Sequence, residues 1–254
     1  MNKNTYRSIF GFCALLFLGC NGENVPDCFQ NAGDLVREEV SLPNFEKITV
    51  FENIELILSE GLVQEVVIET GEFLRSEVTA EVEGDRLVVR NTNNCNLFRE
   101  YGITKIFVTS PNINEIRSST GWPIRSEGTL SFPELQLISE SFNNPETETT
   151  DGSFDLDLAT QNLTLVANGI AYFQLRGSTQ RFNANIAAGD SRIEADDLIA
   201  REVVINHRGS NDMLVNPQQI LRGVIRGTGD VLSFNRPDSV SVEELYRGRL
   251  IFKE

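Results

Sequence analysis

The chain has 254 residues, with 37 acidic against 22 basic side chains and one histidine, for a net charge of −15 at neutral pH. Such acidity argues against a nucleic-acid binder, which needs basic stripes to release phosphate counterions, and against electrostatic docking on anionic lipid. A single histidine excludes any multi-histidine metal site.

The first elements address the chain to an export route. Lys3 and Arg7 form a short positive region, and residues 9–18 are almost wholly apolar. That run is too short for a membrane span, which needs roughly 20 apolar residues, but it suits a signal peptide over residues 1–19. Leu16-Phe17-Leu18-Gly19-Cys20 resembles a bacterial lipobox, so Cys20 is the expected lipidation site; the bland alternative is an ordinary signal with Cys20 there by chance. Removing residues 1–19 takes two basic side chains and no acid, leaving 20 against 37. Cys13 leaves with the signal and Cys20 takes the lipid, so Cys28 and Cys95 remain. In an oxidising compartment two such thiols suggest one disulfide, with two separate thiols as the alternative.

Residues 20–38 read as a lipidated tether, most polar over 21–34. From residue 39 to 254 the pattern is that of one domain built of short strands. Residues 48–50, 54–58, 66–68, 78–82, 87–89 and 106–108 alternate or cluster branched side chains. Turn signals such as Glu60-Gly61, Thr70-Gly71 and Glu83-Gly84-Asp85 separate them. A short helical piece is expected near 72–76. Elsewhere no sustained 3.6-residue apolar period occurs, so long helices are not expected.

The second half repeats. Gly169, Gly189, Gly209 and Gly229 recur 20 residues apart, each preceded by an apolar strand and followed by polar turn residues and another apolar one. Such a period fits an all-β fold, a right-handed parallel β-helix or β-solenoid with coils of about 20 residues. Each coil would hold three strands of about five residues with tight corners, and the corner glycine would supply positive φ. Leucine-rich repeats share the period, but their leucine-asparagine signature is absent. Between Ser141 and Gly169 the step lengthens by eight residues, so the acidic stretch 143–152 is expected to leave the stack as a surface loop.

Phe45-Glu-Lys-Ile48-Thr-Val50, the repeated Ser/Thr-Gly corners, Gly223-Val-Ile-Arg-Gly-Thr-Gly-Asp230-Val and the close through Pro237 and Gly248-Arg-Leu-Ile-Phe252 resemble one family. It is the putative auto-transporter adhesin, head GIN domain family, and the resemblance runs over roughly residues 40–253. Ser141-Phe142 departs from it, standing where a glycine corner is usual. The resemblance implies a right-handed parallel β-helix in envelope proteins, mostly of Bacteroidetes-type bacteria; it brings no functional residues with it.

Individual side chains offer weak signals of chemistry. His207 beside a corner reads as a plain surface histidine. Asp190 and Asp230 share a phase after the corner glycine and Asp212 lies near it, but solvated turn aspartates explain them better than a Ca²⁺ ladder. Asp155 and Asp157 face one side of a strand, outward, opposite Phe154, Leu156 and Leu158; catalysis there is not expected. Trp122, the sole tryptophan, sits at a turn and reads as packing under a loop rather than stacking on a sugar. Asp238-Ser239-Val240 resembles an O-glycan acceptor. No catalytic residue, metal or cofactor is assigned. The expected role is a non-enzymatic scaffold or adhesion surface at the outer membrane, held by its lipid anchor, with an unidentified protein or glycan partner and no nucleic acid. The alternative is a carbohydrate-binding or carbohydrate-active β-helix.

Overall fold

The computed structural model describes Cys28 and residues 30–93, 95 and 102–253. Residues 1–19 and Cys20, where the signal and lipid anchor are expected, lie outside the described residues.

Alternation of side chains builds the strands. Strands β1 (Leu35–Glu39), β2 (Lys47–Phe51), β3 (Glu55–Glu60) and β4 (Glu65–Gly71) lead to a 3-10 helix, Glu72–Glu77, at the helical piece expected there. Six further short strands follow: β5 (Val78–Glu83), β6 (Arg86–Asn91), β7 (Lys105–Ser110), β8 (Glu115–Ser119), β9 (Pro123–Leu130) and β10 (Glu134–Ser139). Four long ones come next: β11 (Ser153–Ala167), β12 (Tyr172–Ile186), β13 (Arg192–His207) and β14 (Met213–Ile225). Strands β15 (Val231–Ser233), β16 (Ser239–Glu244) and β17 (Leu250–Phe252) close the chain.

All seventeen strands join one curled, mixed sheet. Its two arms are separate ladders in the first part of the chain and merge in the long strands. One arm runs β1–β4–β7–β3–β9 onto the first halves of β11 to β14, then β15 and β17. The other runs β5–β6–β2–β8–β10 onto their second halves, then β16. From β11 onward every pairing is parallel and steps by about 20 residues: Phe154 faces Phe173, Phe173 faces Ile193, Ile193 faces Met213, and Met213 faces Val231.

This organisation corrects three expectations. Each 20-residue repeat is one strand of 13 to 16 residues plus a corner, not three strands of about five. Each strand runs through where two corners were expected, with register shifts within β12–β13 and β13–β14 as local irregularities of the ladder. The sheet is mixed, since β1, β4 and β7 pair antiparallel, as do β5 and β6. It also begins at Leu35, inside the segment 20–38 read as a tether; Gln30 is already buried, donating to the Phe73 carbonyl at 2.9 Å.

The core lies between the two arms. Leu56, Ile124, Phe154, Phe173, Ile193, Met213 and Val231 form one continuous apolar column, fully buried throughout. Within it the rings of Phe154 and Phe173 stack at 4.8 Å between centroids. On the opposite arm Ile48, Ile116, Leu137, Leu165, Ala184 and Ile205 form its counterpart. Equivalent positions stay apolar because each rung buries its face only against the rungs above and below.

Of the four corner glycines only Gly189 has positive φ, at +85°. Close approach between rungs is what the position requires. A Cβ at Gly169 would stand 2.0 Å from Thr150 Oγ1, at Gly189 2.3 Å from the Gly169 carbonyl oxygen, and at Gly229 1.9 Å from the Asn211 carbonyl oxygen. Those contacts follow from a corner ladder in which the Asp190 N–H donates to Gly169 and the Ser210 N–H to Gly189.

Cys28 and Cys95 form a disulfide across a sequence separation of 67 residues. It encloses the antiparallel end of the sheet, β1 to β6. Closing a loop of that length removes on the order of 4 kcal/mol of unfolded-chain entropy. Replacing both cysteines by serine is therefore expected to lower unfolding free energy in urea by 3–4 kcal/mol, on the order that loop closure gives. A shift of the urea midpoint within experimental error would show that the antiparallel end is stable without the link.

Candidate functional site

The acidic candidates are engaged in ion pairs and turns. Asp155 and Asp157 do face outward while Phe154, Leu156 and Leu158 are buried; Asp155 pairs with Arg176 at 2.7 Å, and Asp157 accepts from Thr129 Oγ1 at 3.1 Å. Asp190 accepts from Ser210, Asp212 from the Asp230 N–H and Asp230 from the Arg249 N–H. Each fastens one rung to the next, and no three acids converge as metal ligands among the described residues. The same economy governs the outer face of β12 to β14. Glu202 accepts from Arg222 at 2.8 Å and Arg181 at 2.9 Å, and these guanidinium groups hold its carboxyl below the usual range. Glu194 is lowered likewise by the Tyr172 hydroxyl and by Arg192. Burial, and then Glu194, push the Tyr172 hydroxyl up to about 12. Carboxylates so stabilised in the charged form are poor proton donors.

His207 is not a surface residue. It is fully buried in the column Ile186–His207–Ile225, beneath the corner of Gly209 and Gly229. Its ring packs against the backbones of Gly209 and Gly229. Burial lowers its pKa, opposed more weakly by the Asn211 backbone and the Asp212 and Asp230 carboxylates, so the ring stays neutral. The alternation that makes residue 207 an inward position was legible, since Val203 and Ile205 precede it at the strand's period of two. Trp122 is half-buried with its ring against Gly102, where a Cβ would come within 2.5 Å of it. Ser239 of the Asp238-Ser239-Val240 pattern is exposed and opens β16.

Residues 143–152 lie at the surface as expected, but they are fastened. Glu140 is buried, and its carboxylate accepts from the N–H groups of Phe142 at 2.8 Å and Asn143 at 3.1 Å, and from the Asn144 amide. Arg117 pairs with Glu146 at 2.8 Å, the Glu148 N–H donates to Ser119 Oγ, and the carbonyls of Thr150 and Gly152 accept from Ile170 and Tyr172. The segment is thus a polar corner joined to rungs on both sides.

That corner brings Glu148 against Glu52, at the turn after β2. Burial, then the neighbouring Glu148 carboxyl, raise Glu52 to about 7, against the pull of Arg90 at 3.9 Å. The guanidinium of Arg90 itself lies 3.5 Å above the Phe51 ring. A carboxyl with a raised folded-state pKa binds its proton more tightly in the fold, so stability falls as pH rises from about 4.5 through about 7. Glu52→Gln keeps the neutral form at every pH. The variant is expected to match the wild type near pH 4.5 and to be about 1 kcal/mol more stable above pH 8, after discounting for the solvent that reaches the group. Equal differences at both pH values in urea titrations would mean that the fold does not raise the pKa of Glu52.

A hollow that sequence reading missed lies at the other end of the sheet. Asn206, Arg208, Arg226, Leu245 and Tyr246 line an open hollow of about 500 Å³. His207 faces Ile225 in register, so Arg208 and Arg226 extend from neighbouring rungs in the same position. Both are exposed, and neither has an ion pair or a side-chain hydrogen bond among the described residues. The Asn206 amide, on the same face, donates to Asn185 at 2.7 Å. The signal was present in the repeat: the residue following the inward strand end is Asn168, then Ala187, then Arg208, then Arg226.

A curled, mixed sheet whose second half is parallel, with a polar outer face and a shallow basic hollow, places the chain among all-β proteins built of stacked rungs. The sequence matches, over residues 44–237, the family described as putative auto-transporter adhesin, head GIN domain, and the chain belongs to that family. Solved structures share the fold. A "putative adhesin" from Bacteroides fragilis aligns over 88% of this chain and 99% of its own, with TM-score 0.77 and 19% identity. A "putative lipid binding protein" from Parabacteroides distasonis aligns over 87% and 98%, with TM-score 0.60 and 18% identity. A "putative adhesin" from Parabacteroides merdae aligns over 87% and 97%, with TM-score 0.57 and 14% identity. A search of curated proteins finds no match to the chain.

Proposed function

We propose that the protein is a non-enzymatic binding module of the cell envelope, a curled all-β sheet held at the outer membrane through a lipidated Cys20. The observation that carries the binding role is the outer face of β11 to β14, parallel over four rungs, where Asp155 and Glu202 are engaged by arginines of neighbouring rungs. Such a face presents fixed side chains at the strand spacing of about 4.8 Å, suited to repeated contact with an extended partner. Membership of an adhesin-type family and adhesin-named neighbours support the same reading. No described helix is long and apolar enough to cross a membrane. Lys3, Arg7, the apolar run 9–18 and Gly19-Cys20 support the anchor. Acyl chains on one cysteine supply enough buried CH₂ groups for stable attachment once there is more than one chain.

Cys20→Ala is expected to abolish incorporation of labelled fatty acid and to move the protein from the detergent phase to the aqueous phase on partitioning. Retention of the variant in the detergent phase would sink the lipid anchor.

A further inference from the structure

We propose that the hollow lined by Asn206, Arg208, Arg226, Leu245 and Tyr246 is a binding site for an acidic saccharide, a sugar unit bearing a carboxylate or a sulfate. The inference rests on reading the chain as a binding module and names the ligand chemistry of one place on it.

At Arg208 and Arg226 the charges conflict. Side chains at matched positions on neighbouring rungs stand about 5 Å apart, and like charges so placed repel. In a chain with 37 acids and 22 bases, most arginines of the outer face take a carboxylate: Arg176 takes Asp155, Arg181 and Arg222 share Glu202, and Arg192 takes Glu194. Arg208 and Arg226 are matched to each other instead. Glu244, on the next rung, is already engaged by the Leu250 N–H and Arg249. Two guanidinium groups on adjacent rungs without a counter-charge suit a planar carboxylate or a tetrahedral oxyanion.

The remaining wall selects what carries the anion. Tyr246 and Leu245 are both 56% exposed, an unusual investment of apolar surface on a polar face. The Arg247 guanidinium lies 5.7 Å from the Tyr246 ring and adds positive charge beside it. A phenol ring, an aliphatic side chain and a free amide oxygen or N–H at Asn206 offer a stacking face and hydrogen bonds to hydroxyl groups. A bare inorganic anion uses neither; a sugar ring uses both. A volume of about 500 Å³ admits one or two sugar units.

The test is calorimetric titration of the full chain in non-ionic detergent with trigalacturonate and with a chondroitin sulfate tetrasaccharide. Fully methyl-esterified trigalacturonate serves as the neutral control, and phosphatidylglycerol vesicles as the lipid alternative. At least one acidic oligosaccharide is expected to bind. Losing the charge pair in Arg208→Gln/Arg226→Gln should weaken it by about tenfold or more, and so should methyl esterification of the galacturonate if that is the ligand. Tyr246→Ala should weaken it by roughly three- to tenfold through loss of the stacking face. Arg236→Gln, on an exposed arginine set over Phe252, should bind as the wild type, and all variants should keep the wild-type melting temperature. Absence of binding by both acidic oligosaccharides, or wild-type affinity in the double variant, overturns the site. Vesicle capture that depends on the two arginines, without sugar binding, overturns it in favour of a lipid headgroup. Cleavage of either oligosaccharide during the titration would instead defeat the binding-module reading itself, so the two failures are distinguishable.

Discussion

Ile205→Asp is expected to leave the protein largely unfolded at room temperature, while Ile199→Asp in the same strand changes its stability by less than about 0.5 kcal/mol. Ile205 is 2% exposed, on the inward face of β13 between Ala184 and Gly223. Removing it forfeits about 2–3 kcal/mol of apolar burial, and the carboxyl, even neutralised, adds about 1–3 kcal/mol for a polar group without a partner. A loss of about 3–6 kcal/mol reaches the whole stability of the less stable domains, about 5 kcal/mol. Ile199 is 46% exposed near the bend of the strand, where a carboxylate remains hydrated. Circular dichroism and urea unfolding of the two variants check this directly. If both are destabilised alike, the inward and outward faces of β13 are assigned the wrong way round.

Gly223→Ala is expected to cost about 3 kcal/mol or more, against about 1 kcal/mol for Gly84→Ala. Both glycines have positive φ, +137° at Gly223 and +67° at Gly84, so both substitutions carry backbone strain. They differ in space. A Cβ at Gly223 would lie 1.9 Å from the carbonyl oxygen of Ile205, on the neighbouring rung, whereas nothing stands within 4 Å of one at Gly84. Relief at Gly223 requires the β13–β14 ladder to open locally, and the ladder is what buries Ile205 and Leu221. Paired thermal unfolding of the two variants measures the difference. Equal losses would mean that φ alone sets the cost and that the rungs are free to separate there.

The parts of the fold legible in the sequence are those fixed by nearest neighbours. The 20-residue interval of Gly169, Gly189, Gly209 and Gly229 gives the register of β11 to β14, because parallel rungs repeat whatever the corner demands. The reason for those glycines was not legible. Crowding against the Thr150 and Asn211 backbones is a contact between rungs, invisible until the rungs are stacked. The N-terminal end was less readable for a related cause. β2 pairs with both β6 and β8, and β3 with both β7 and β9, so strands from a hairpin-like insertion lie beside strands far along the chain. Leu35–Glu39 alternates too weakly to announce a strand, with one half-buried residue among four exposed ones, and it forms by pairing with β4. As for sites, the outward direction of Asp155 and Asp157 followed from alternation, but their commitment to Arg176 and Thr129 depends on which rung lies next door. The Glu52–Glu148 contact and the Arg208–Arg226 pair share that origin: each joins residues that only stacking brings together.

The direction of the hydrogen bonds has a mechanical consequence. Strands lie across the stack, so the bonds between rungs point along it. Tension between the two ends therefore loads one rung's bonds at a time, like a zipper, instead of shearing a whole ladder at once. The last rungs, β16 and β17, are each paired on one side only, with β14 and β15 respectively, and they yield first. The Cys28–Cys95 link fastens the opposite end covalently. Under load the chain is therefore expected to extend from its C-terminal end in lengths of about 20 residues, each about 70 Å of extended chain, while the disulfide-linked end stays folded.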